Sequence, residues 1–192
     1  MNTPAHLIFG AAAFARPGRR GVNAAALAGG LLPDASLDLM VGWALYVRHI
    51  PARVVFGEMY FSDRWQAIFA IDHSLPLWSL ALLLALVLRS AAGIAFAGSG
   101  LLHAIVDFLV HHDDARRQVW PVSTWVFRSP VSYWDPQHFG QIAAPVEVLT
   151  CLVLSVMLWR RFAGWPARGL IVAGMAMELA PAVMFALMFA GD

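Results

Sequence analysis

Five stretches of this sequence, residues 22–47, 67–88, 92–110, 141–159 and 168–190, are apolar over about the 20 residues that a helix needs to cross roughly 30 Å of hydrocarbon. Composition agrees with that reading. Of the 192 residues, 60% are apolar or aromatic and 13% are charged, where soluble domains run at about one quarter charged, and mean hydropathy is +0.66. These values exclude a disordered chain and argue against an ordinary soluble domain. An earlier stretch, residues 3–15, is too short to span. His6 interrupts it and no arginine precedes it, so it reads as a short or re-entrant helix retained in the mature protein rather than a signal peptide. The expected fold is all-α: an integral membrane helical bundle of about five spans plus a short N-terminal helix, one membrane-embedded domain over residues 1–192. Within it, residues 111–140 are polar, aromatic and proline-punctuated. Trp120, Trp125, Tyr133 and Trp134 suit a loop lying at the headgroup level.

The few charges constrain the chain further. All 13 basic residues are arginine, and the net charge of +1 leaves no basic field for nucleic acid. The single cysteine, Cys151, lies in an apolar run, which excludes a disulfide framework and a cysteine-built zinc site. Arg16, Arg19, Arg20, Arg89, Arg160, Arg161 and Arg168 fall in the links after the first, third and fifth helices, with no acid among them. On the other side, Arg48, Arg53, Arg64, Arg116, Arg117 and Arg128 are mixed with acids. Short loops with unopposed arginine stay cytoplasmic, so the aromatic loop is expected to face the periplasm of a bacterial inner membrane.

Ionisable groups inside a bilayer cost several kcal/mol unless they meet a partner, a metal or water. Here they recur in register. His103, Asp107 and His111 are four residues apart and share one helix face, as do Asp34 and Asp38. His73, His138 and Glu147 lie towards the same end of their segments. Imidazole and carboxylate are ligands of catalytic zinc, and a pair on adjacent helical turns can grip one ion or two. Other readings stand beside this one. The His103–Asp107 pair could brace two helices, Asp34 after Pro33 could cap a helix at a break, and the 111–114 group could be a solvated terminus. Arg116 and Arg117 read either as a solvated or headgroup-facing pair or as phosphate binders. Glu178 is an intramembrane acid without an evident partner, and His49 reads as interfacial.

In order along the chain, His6, Leu31-Leu32-Pro33-Asp34, His73-Ser74, His103-x-x-x-Asp107 and Trp120-Pro121 resemble the YdjM-like family of membrane-bound metal-dependent hydrolases. That family is distantly similar to zinc-dependent phospholipase C and the S1/P1 nucleases, which are all-helical with up to three zinc ions. The resemblance covers residues 3–121. It extends more narrowly through His112-Asp113-Asp114 and residues 129–136, towards relatives labelled for cobalamin biosynthesis, although no phosphate loop or glutaminase cysteine accompanies it. It implies His6, Asp34, His73, His103 and Asp107 as metal ligands. Ser36 and Leu37 stand where the family has an acid and a histidine, and Ile68 where it has another histidine. His112, Asp113, His138 or Glu147 then fills the gap, or the site holds fewer ions, or catalysis has been lost.

The resulting expectation is a metal-dependent hydrolase acting on a phosphoester or phosphodiester near the outer headgroup plane, with a membrane lipid or lipid-linked substrate. One to three divalent ions, zinc foremost, would be held by His6, Asp34, His73, His103, Asp107 and His112. Glu147 or Asp113 would serve as base, and Arg116 and Arg117 would hold the phosphate. The rivals are a non-enzymatic assembly or partner-binding protein whose polar cluster is structural, and a small transporter or proton pathway through Asp34, Asp38, His103 and Asp107.

Overall fold

The computed structural model describes the backbone of residues 1–189 and the side chains of residues 1–180. The regular structure among the described residues is all helical, with no strand. The helices are α1 (Thr3–Phe14), α2 (Arg20–Gly42), α3 (Asp63–Asp72), α4 (Leu75–Val87), α5 (Ala91–Val110), α6 (Gly140–Arg161) and α7 (Trp165–Phe189). Two π turns, Trp43–Val47 and Val55–Met59, and the short turn Ala52–Val54 connect α2 to α3. Four segments are long and apolar enough to cross a membrane: Arg20–Val47, Asp63–Val87, Ala91–Val110 and Gly140–Arg161. The short helix α1 stands beside them.

Local chemistry sets most of these boundaries. Ser62, Ser74 and Ser90 cap α3, α4 and α5, each accepting from a backbone N–H in the first turn. The stretch 67–88, continuous by hydropathy, is broken at His73-Ser74. There Ser74 caps a new helix and Pro76, with no N–H to donate, sits in its first turn. Pro33 does not end α2, and Asp34 lies inside that helix rather than at a cap.

The packing is inside-out. Leu80, Leu83, Leu84, Leu86, Leu149, Leu152 and Val153 point outward, whereas His6, Asp34, His73, His103, Asp107, Glu147 and Glu178 are buried. Lipid gives no hydrophobic drive for helices to associate, so close backbone approach through small residues has to hold them together. The α2–α5 contact shows this: a Cβ on Gly29 would lie 2.0 Å from the Phe96 carbonyl oxygen. Helix α1 is the hub, touching α2, α5, α6 and α7. At its far end, Arg161 donates to the Ala12 and Ala15 carbonyls at 2.7 and 3.0 Å, so the arginine-rich turns gather opposite the buried acids.

The 111–140 loop folds back onto the helices. Ser129 and Tyr133 donate backbone N–H groups to His111 and Val110, and Leu75 donates to Gln118 at 2.8 Å. The Gln118 side chain donates to the Ala104 carbonyl at 2.9 Å, and the Ser74 hydroxyl donates to that of Trp120. Trp125 and Trp134 stay on the outside while Arg116, Gln118, Ser129 and Ser132 are buried.

Candidate metal centre

Three parts of the helical framework deliver four groups to a common point. Asp34 comes from the middle of α2, His73 from the break between α3 and α4, and His103 and Asp107 from successive turns of α5. All four are buried, and one ligand atom from each lies within 4.8 Å of every other. The edges are even. His73 Nε2 is 3.5 Å from both Asp34 Oδ1 and Asp107 Oδ2, and His103 Nε2 is 3.6 and 3.4 Å from the same two atoms. Ligands of an ion bonded at about 2.1 Å lie about 3.4 Å apart in a tetrahedral site, which these four separations match, and the other two lie within 4.8 Å, so the donor chemistry and reach suit a divalent ion.

Outer contacts aim these atoms. His103 Nδ1 donates to the Gly30 carbonyl at 2.8 Å, which in the neutral ring leaves Nε2 as a lone pair facing the two carboxylates. That Nε2 has no hydrogen-bond partner, and neither does His73 Nδ1 or His6 Nδ1. A lone pair held against two carboxylates is satisfied only by a proton or a cation between them. Asp34 turns its other oxygen to the Thr3 hydroxyl, 2.7 Å away. His6 stacks on His103 with ring centroids 3.4 Å apart, and its Nε2 is 3.0 Å from Asp107 Oδ1. The chain thus brings together five of the six expected ligands.

His112 is the sixth, and the structure holds it apart. It donates to the Ser129 carbonyl at 2.6 Å and stacks on His138, which is itself bonded to Asp135. Neither expected base sits at the tetrad. Asp113 is exposed and faces His112, while Glu147 accepts from the Asn2 N–H at 2.9 Å, across the first turn of the chain. Glu178 is its neighbour there, reached by the Asn2 side chain. Asp38 and His49 are exposed, and neither belongs to the tetrad.

The two arginines part company. Arg117 lies half-exposed, 3.2 Å from Asp63. Arg116, expected at the headgroups, is buried and driven into the cluster. Its Nη1 lies 3.2 Å from Asp107 Oδ2 and 3.8 Å from Asp34 Oδ1 and abuts His73 Nε2, and its Nε donates to the Tyr60 hydroxyl. Burial opposes its charge, but Tyr60, Asp107 and Asp34 hold its proton more firmly than usual. The polarity of the 113–117 run suggests a surface position; only the fold-back of the loop reveals the burial.

His111 is the member that a solvated-terminus reading would leave out. Its Nε2 is 3.2 Å from Asp107 Oδ1 and its Nδ1 2.8 Å from Asp114 Oδ2, so it links the cluster to the loop. Burial pushes the Asp114 carboxyl up, yet the His111 bond and nearby positive charge hold it below its ordinary value. The signal was present in the four-residue spacing from Asp107. The Met1 amino group also meets Asp107 Oδ1, at 2.9 Å. Compared with family models, with curated proteins and with solved structures, the chain matches none.

Proposed function

We propose that this chain is a divalent-metal hydrolase of the bacterial inner membrane, acting on a phosphoester or phosphodiester of a membrane lipid or lipid-linked molecule at the periplasmic headgroup plane. The observation that carries the reading is the tetrad of Asp34, His73, His103 and Asp107, with imidazole–carboxylate separations of 3.4 to 3.6 Å and an unpartnered His103 Nε2. Buried in helices apolar enough to span, such a set is costly without a cation. Zinc suits two imidazoles and two carboxylates. When bound, a divalent ion supplies Lewis-acid polarisation of a phosphoryl oxygen and of water. The chain's own residues supply the rest. His6 extends the ligand set on the Oδ1 side of Asp107, and His111, oriented by Asp114, is the group beside Asp107 that can take up a proton. Arg117, half-exposed beside Asp63, is the cation that would meet an approaching phosphate. The unopposed arginines at the opposite helix ends favour a periplasmic site.

Metal analysis of the purified protein is the first test: one or more equivalents of zinc or manganese are expected, and the His103→Ala/Asp107→Ala variant should lose them. Hydrolysis of a chromogenic phosphodiester should then stop on chelation and return with the metal. A protein that carries no ion when freshly purified, and takes none on reconstitution, would falsify the centre. One observation favours a second reading, a purely structural cluster in a non-enzymatic membrane protein. Arg116 and the Met1 amino group already place two positive charges against the two carboxylates. That reading expects the double variant to lower thermal stability with no metal to lose.

A further inference from the structure

We propose that Arg116 and a divalent ion exclude one another from this centre, so that metal loading requires the guanidinium to withdraw from Asp34, His73 and Asp107. The inference rests on the metal-centre reading above and adds a gate to it. Arg116 is no bystander at the edge of the cluster. The same Nη1 faces three of the four candidate ligand atoms: it abuts His73 Nε2, is 3.2 Å from Asp107 Oδ2 and is 3.8 Å from Asp34 Oδ1. An ion bonded to those three atoms would meet a permanent positive charge and its hydrogens at close range in a low-dielectric interior, where like charges repel strongly. His73 Nε2 cannot offer one lone pair to both. Arginine does not escape by deprotonating. One cation therefore has to leave.

The anchoring of Arg116 suits a group that can leave. It is carried by the loop that follows α5 rather than by a helix, and its neighbours are uneven in exposure: Ala115 and Arg117 are half-buried and Asp113 is exposed. Its seat outside the ligand set consists of the Tyr60 hydroxyl, 3.4 Å from Nε, and the face of Phe69, 5.6 Å from Cζ. Both are compatible with a guanidinium drawn back along its own axis. In the metal-free state the arginine neutralises the acids that would otherwise repel each other in an apolar interior. In the loaded state it is freed, beside the ion, as a cation suited to a phosphate.

The test uses the full-length protein in detergent or nanodiscs, stripped with a chelator and titrated with zinc against a chromophoric competitor. Arg116→Met, which keeps the bulk and removes the charge, should bind zinc at least about tenfold more tightly than the wild type, and Arg116→Lys should stay near wild type. A second measurement needs no variant. Phenylglyoxal modification read by peptide mass spectrometry should rise at Arg116 on zinc loading, with half-exposed Arg117 as the internal reference. Equal or weaker zinc binding by Arg116→Met, or Arg116 labelling that zinc leaves unchanged, overturns the exclusion. Absence of zinc binding in both wild type and Arg116→Met overturns the exclusion and the metal centre together. Tighter zinc binding by Arg116→Met in a protein that hydrolyses no phosphodiester supports the exclusion and removes only the hydrolytic reading.

Discussion

Both oxygens of Asp107 are committed, Oδ1 to His6, His111 and the Met1 amine, and Oδ2 to His73, His103 and Arg116. Removing its charge strands a buried guanidinium, and breaking a buried pair by taking one partner costs about 3–5 kcal/mol. Asp107→Asn should therefore unfold at markedly lower temperature in micelles. Adding Arg116→Met should recover part of that loss, a coupling that a double-mutant cycle reads directly. Thr3→Val is a milder probe: it deletes a 2.7 Å hydrogen bond to the Asp34 carboxylate and should cost about 1.5–3 kcal/mol. At the loop, Asp114 has its folded value held below the ordinary 3.8 by His111. Its contribution is thus fully present above that ordinary value and is lost as pH falls through the lower, folded one. Acid unfolding of the wild type should steepen there, and Asp114→Asn should flatten that limb.

Helices meet in this protein where side chains are missing. A methyl group on Gly29 would collide with the Phe96 carbonyl at 2.0 Å and part α2 from α5, the two helices that carry Asp34 and His103. Gly29→Ala should destabilise by about 1–3 kcal/mol, and it should also weaken metal uptake. Gly42 faces open space near the end of α2, so Gly42→Ala should be neutral or stabilise by up to about 1 kcal/mol. Measuring thermal unfolding and zinc content on both variants separates helix propensity from helix approach. The break at His73-Ser74 is an element-scale event as well. Hydropathy averaged across it reads one span, because an apolar average does not register a serine cap followed by Pro76; yet the break is what turns His73 into the cluster.

Across the described residues, many outward apolar side chains and a buried polar cluster suit a non-aqueous surround, and the helix ends distinguish two sides. With Cys151 buried, a cysteine placed at Ser123 in the loop should react with a membrane-impermeant maleimide in spheroplasts, and one at Gly164 should not. The reverse pattern would turn the proposed orientation over. The helical class, most of the span positions and the shared face of His103, Asp107 and His111 were legible in the sequence, because each follows from length, hydropathy or a four-residue period within one segment. The meeting of Asp34, His73 and His103, the central place of α1 and the burial of Arg116 were decided only by the tertiary structure. They depend on which backbones approach closely enough for a glycine to matter, and on a loop folding back over distances that no local period encodes.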